Sequence, residues 1–102
     1  MPREEPLYAQ DPGQYYVPCG YEDLTVDGTV RTPTPPQGAR IGKAYFRGGN
    51  VRWTIHGTNP SASVGVPAYD GYEEWFSIND LNALKLIREG STNGEVFFNY
   101  WR

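Results

Sequence analysis

Val51–His56 alternates strictly, with Val51, Trp53 and Ile55 on one face of an extended chain and Arg52, Thr54 and His56 on the other. That period of two predicts a half-buried strand. A similar β-rich run closes the chain at Glu95–Trp101. Ala39–Arg47 and Glu73–Ile78 read as further strands. Glu22–Val26 and Thr29–Thr32 read as one or two short strands around the turn pair Asp27-Gly28. Gly65–Tyr69 is expected as a short edge strand, because Pro67 has no backbone N–H to donate and so excludes a central place. Leu81–Arg88 suits either period. The turn chemistry of Glu89–Gly94 after it favours a turn near Asp80–Ala83 and a strand over Leu84–Arg88. Gly48-Gly49-Asn50 and Asp70-Gly71 supply turns between strands.

Short strands at this spacing, with no convincing helix, predict an all-β fold: a single small β-sandwich, jelly-roll-like. The period-2 positions expected to face its core are Val51, Trp53, Ile55, Leu84, Leu86, Phe98 and Tyr100. Gly57–Gly65 contains Asn59-Pro60 and small residues, and it reads as a structured crossing of the sandwich.

The start of the chain breaks the pattern. Seven of the nine prolines fall within the first 36 residues, and proline blocks helix interiors and central strands. Residues 1–19 therefore read as an extended proline-rich arm and residues 20–102 as the β-sandwich domain. The arm is no ordinary polar linker, because it carries Leu7, Tyr8, Tyr15, Tyr16 and Val17. These side chains have apolar area to bury, and proline lowers the entropy cost of fixing them. They are the expected partner-binding residues, together with Tyr69 and Tyr72, which flank the Asp70-Gly71 turn and are expected to be exposed.

Composition narrows the function. At 102 residues the chain is one domain, large enough to bury a core without metal or disulfide. Eight tyrosines, four phenylalanines and three tryptophans supply much area per residue. The net charge is −3, with only two lysines, Lys43 and Lys85, and scattered arginines. That argues against nucleic acid as a partner. Cys19 is the single cysteine, so no intrachain disulfide is possible. No apolar run approaches the roughly 18–20 residues that span a bilayer, and MPREEPLYAQ has no signal-peptide core. The expectation is synthesis in a cytosol without membrane insertion.

Candidate chemistry is thin. His56 is the only histidine. Ser61 and Ser63 lie near it, but nothing resembles a nucleophile elbow or an oxyanion loop. One histidine and one cysteine cannot complete a zinc site. Asp70, Glu73 and Glu74 lack calcium-loop spacing, and in a strand Glu73 and Glu74 point to opposite faces. No catalysis, cofactor or metal is expected. Trp53, Tyr69, Tyr72 and Trp75 raise one other possibility, a sugar-stacking platform, although the phase of Trp53 with Val51 and Ile55 favours a core position for it.

The order of the segments TPPQGAR, VRWTIHGTNPSASVG, an Asp-Gly turn, LNALKLIREGSTNG and the terminal VFFNYW resembles a group of small virion-associated structural proteins of tailed bacteriophages. The likeness covers Tyr21 to Arg102 and leaves out the arm. His56 stands where that group commonly has an acidic residue. The resemblance implies a non-enzymatic virion component made in the host bacterial cytoplasm: a capsid decoration or cement protein stabilising contacts between major capsid subunits. Its expected partners are the major capsid protein or other virion proteins, with homo-oligomers on the particle. The alternatives are a tail, collar or fibre-attachment component and, in a different class, a carbohydrate-binding adhesion module.

Overall fold

The computed structural model describes residues 16–102. They form β1 (Pro18–Val26), β2 (Ile41–Gly48), β3 (Val51–Thr54), β4 (Val66–Ala68), β5 (Glu73–Ser77), α1 (Ile78–Ala83), β6 (Lys85–Arg88) and β7 (Gly94–Trp101). One sheet has the order β1-β7-β2-β5 and the other β4-β3-β6, with every ladder antiparallel. The described residues are all-β apart from one short helix.

The pairings nest. β1 lies against β7, and β2 against β5. In the other sheet β3 pairs with β4, while Arg31 makes an isolated bridge to Leu86 of β6. Two backbone hydrogen bonds of 2.8 Å close that bridge, and Arg88 N–H donates to Asp27 O at 3.0 Å. Of the expected strand Thr29–Thr32, only this bridge forms.

Alternation places the core. Buried and half-buried residues alternate along the whole of β7, and Ala44 and Phe46 of β2 are buried. They meet Val51, Trp53 and Leu86 of the second sheet in one hydrophobic cluster. Six of the seven expected core residues are buried, and Ile55 is half-buried at the margin of the cluster. Pro67 sits in β4, an edge strand, as expected.

Two expectations are corrected. The turn expected near Asp80–Ala83 is a helix, and Ile78 belongs to it rather than to the strand before it. The Ser77 hydroxyl caps this helix by accepting from Asp80 N–H at 3.2 Å, and Leu81 is its buried residue. Gly57–Gly65 does not cross between sheets, because it joins β3 to β4 within one sheet. Gly65 explains its close fit. Its φ is +122°, and a Cβ there would meet the Trp53 carbonyl oxygen at 2.9 Å, so only glycine lets the loop return this close to β3. β1 begins at Pro18, and Val17 and Arg102 exchange two backbone hydrogen bonds of 2.8 Å.

Candidate interaction surfaces

The register of the four-stranded sheet decides which side chains share its outer face. Tyr21 pairs with Asn99, Asn99 with Lys43, and Lys43 with Trp75. The next outward row is Asp23, Phe97, Tyr45 and Glu73, and beyond it come Thr25, Glu95 and Arg47. At the opposite end Trp101 pairs with Ile41, and Ile41 with Ser77. The central strands β7 and β2 thus carry Trp101, Phe97, Ile41 and Tyr45, interleaved with Asn99, Lys43, Glu95 and Arg47. The acids Asp23 and Glu73 stand on the edge strands. Large aromatic rings set among charges of both signs, arginine included, are residue types that recur at protein interfaces.

The rings on this face hold one another. Trp75 and Trp101 lie with centroids 5.3 Å apart at 41°. The Lys43 ammonium is 5.2 Å from the ring centres of both Tyr45 and Trp75 and 3.1 Å from a Glu73 oxygen. A cation so placed is attracted by the ring faces and keeps its counter-ion at the rim. Glu95 accepts from the Thr25 hydroxyl at 2.9 Å. Tyr21 is 65% exposed.

The expected site residues fall in different places. Leu7, Tyr8 and Tyr15 lie outside the described residues. Val17 is exposed, and the Tyr16 ring lies 4.8 Å beneath the Arg40 guanidinium. Tyr69 is 49% exposed. Tyr72 is not exposed like its neighbour but half-buried, with its ring on Phe46 at 5.6 Å and its hydroxyl donating to Glu74. Burial, and then the Glu74 carboxylate, push its phenol up to about 12. The turn between the two tyrosines is pinned to β2: Gly71 N–H donates to Phe46 O at 2.7 Å and Gly48 N–H to Asp70 Oδ1 at 2.9 Å. The four aromatics of the supposed sugar platform are therefore separated. Trp53 is 8% exposed in the core, edge-on to Phe76 at 5.1 Å and 85°.

His56 is exposed just beyond β3. It stands at the rim of a cleft of about 460 Å³ walled by Trp53, Ile55, Val64 and Val66. Its surroundings are apolar apart from threonine hydroxyls, and the Thr54 hydroxyl already donates to Thr58 O at 2.5 Å. Asp70, Glu73 and Glu74 are each engaged in a separate contact. Among the described residues no group of three histidine, cysteine or acidic side chains is placed to hold a metal ion.

A second polar cluster is structural. Glu22 Oε1 accepts from the Tyr100 hydroxyl at 2.7 Å and from Thr34 N–H at 2.9 Å. Burial, and then Glu22, raise the Tyr100 phenol well above its ordinary range. Pro36 covers Gly20, where a Cβ would meet the proline ring at 2.8 Å. These contacts fasten the proline-rich connection to β1 and β7.

No family model, no curated protein and no solved structure matches the chain.

Proposed function

We propose that the chain is a non-enzymatic structural protein of a tailed-bacteriophage virion, a capsid decoration or cement protein that reinforces contacts between major capsid subunits. The observation that carries this reading is the outer face of the four-stranded sheet, where Trp101, Phe97, Ile41 and Tyr45 stand on the central strands among charged residues of both signs. The resemblance over Tyr21–Arg102 supplies the setting. Partners on this reading are the major capsid protein and further copies of the chain, with contacts from the arm residues Leu7, Tyr8, Tyr15, Tyr16 and Val17 and from the turn at Tyr69 and Tyr72.

We also read the two sheets as a jelly-roll sandwich. The nested pairs support this, with residues 27–31 beside β6 standing in for one strand reduced to a bridge. Jelly rolls recur in viral shells and in lectins, so the fold alone does not decide between them. The position of Trp75 and Trp101 on an outer face favours the carbohydrate-binding alternative to the extent that rings there can stack on sugars.

The experiment is the copy number of the chain in purified particles, by quantitative mass spectrometry against the major capsid protein. A count that follows the capsid subunits supports a decoration protein. A small count matching tail or neck symmetry supports the tail or collar alternative. A chain missing from particles and retained on a glycan array would replace both with the adhesion module.

A further inference from the structure

The hydrogen-bonding register shows which edge of the four-stranded sheet is open. Along an antiparallel strand the N–H and C=O of one residue point to the same neighbour, and successive residues alternate between neighbours. Phe46 N–H donates to Tyr72 O at 2.8 Å and Ile78 N–H to Arg40 O at 2.9 Å, so the even-numbered residues of β2 bond to β5. Lys43 and Tyr45 therefore bond to their β7 partners Asn99 and Phe97, which leaves Phe98 and Val96 to bond to Glu22 and Leu24 of β1. The backbone groups of Tyr21, Asp23 and Thr25 point the other way, beyond the last strand of the sheet. Among the described residues no ladder, turn or loop bond reaches them.

Edge strands are normally short, broken by proline or covered, and the other three edges follow that rule. β4 has three residues and contains Pro67. β6 has four and is flanked by residues 27–31. β5 has five and runs straight into α1. β1 has nine residues, more than any other strand, with its proline at the first position and its irregularity between Pro18 and Gly20. Tyr21, Asp23 and Thr25 lie past that irregularity and are all exposed. The contacts of Thr34 with Glu22 and of Pro36 with Gly20 belong to the opposite phase of the strand and leave this edge clear.

Charge narrows the kind of strand that fits. β1 has two acids, Glu22 and Asp23, and no basic residue. Phe97 stands beside Asp23, with Asn99 and Glu95 on the diagonals. The bases of that face, Lys43 and Arg47, lie two strands away on β2, about 10 Å off. There Lys43 is 3.1 Å from a Glu73 oxygen and Arg47 is opposite Glu95. Arg31, past the end of β1, is paired with Asp27. Asp23 makes no ion pair among the described residues. A second copy of β1 fits poorly. Antiparallel self-pairing about the middle of the strand sets Glu22 against Glu22, the next register sets Asp23 against Asp23, and like charges directly opposite destabilise a ladder.

We propose that the outer edge of β1, Tyr21–Thr25, is a strand-pairing site for an extended segment of another polypeptide that carries a lysine or arginine opposite Asp23. Main-chain bonds to Tyr21, Asp23 and Thr25 supply the attachment, and the charge opposite Asp23 selects the partner. The inference does not rest on the virion reading, because it follows from the ladder and the charges alone.

The test is a titration of the isotope-labelled full chain, followed by amide shifts and amide hydrogen exchange. The probe is a capped seven-residue peptide of alternating valine and threonine with one central lysine, compared with the same peptide carrying a central glutamate. The lysine peptide should shift the amides of Tyr21, Asp23 and Thr25, slow their exchange, and bind about fivefold more tightly than the glutamate peptide. Asp23→Lys should invert that preference. Thr25→Pro removes an outward N–H while keeping Asp23 and the bonds to β7, so it should abolish binding with the amide spectrum of the other sheet unchanged. Equal affinity for the two peptides, no shifts at millimolar lysine peptide, or shifts centred on β2, β5 or the other sheet would overturn the proposal. Protection of the three amides that rises with protein concentration, without peptide, would also overturn it, because a second copy then fills the edge.

Discussion

Replacing Trp53 tests the core assignment on which both faces of the molecule depend. Trp53 is 92% buried and edge-on to Phe76. Truncating a buried tryptophan to alanine costs about 3–5 kcal/mol, the sum of lost transfer energy and the cavity left behind. Of this, the edge-to-face contact accounts for about 0.5–1.5 kcal/mol. The cleft bordered by Trp53, Ile55, Val64 and Val66 lets neighbouring side chains and water move in, so Trp53→Ala should fall near 3 kcal/mol on that scale. The indole N–H has no hydrogen-bond partner among the described residues. Trp53→Phe therefore discards no hydrogen bond, keeps a ring against Phe76 and should cost well below the alanine change. The assay is urea unfolding followed by far-UV circular dichroism, with unchanged m values confirming a change in stability alone. A loss under about 1 kcal/mol for Trp53→Ala would refute the reasoning, because surface substitutions have effects of that size, and it would revive the sugar platform.

Gly65→Ala should destabilise the domain, through both its φ of +122° and the 2.9 Å approach to the Trp53 carbonyl, and a thermal melt will read it. Asp27 is held down at about 2, first by the hydrogen bond from the Arg31 side chain and then by Thr29 N–H. Its contribution is fully present above its ordinary 3.8 and is lost as pH falls through about 2, so Asp27→Asn should flatten stability against pH on the acid side. Tyr72 has the opposite sign: its raised phenol favours the folded state below its ordinary 10.0, and that contribution is lost as pH rises through about 12. Ultraviolet titration of the chain and of Tyr72→Phe should show this late ionisation disappear with the substitution. His56→Ala should leave folding and particle assembly nearly unchanged, since the imidazole is exposed; lost infectivity in a folded variant would point to a site at the His56 cleft.

Strict alternation in Val51–His56 locates β3; β2 and β7 are legible as strand-forming runs beside turn residues, and the single proline in Gly65–Tyr69 places β4 at an edge. The helix Ile78–Ala83 was hidden because INDLNA is too short to show a period, and its signal is the Ser77 cap. The start of β1 was hidden by Pro18, which the first position of a strand tolerates. Tyr72 looked like its exposed neighbour Tyr69, since only the fold brings Phe46 and Glu74 to its ring and hydroxyl. The outer aromatic face was the larger omission. In VFFNYW aromatic residues occupy both phases of the strand: period two already turns Phe98 and Tyr100 to the core, where they are buried, but what stands beside Phe97 and Trp101 depends on the neighbouring strand. The register supplies that, by setting Phe97 and Trp101 beside Tyr45 and Ile41.

The most direct test of the structural role is a density map of the intact virion at a resolution that traces this chain. The account predicts copies seated over the contacts between major capsid subunits, with Trp101, Phe97 and Tyr45 covered by protein. A particle without the chain, or copies held with that aromatic face turned to solvent, would contradict it.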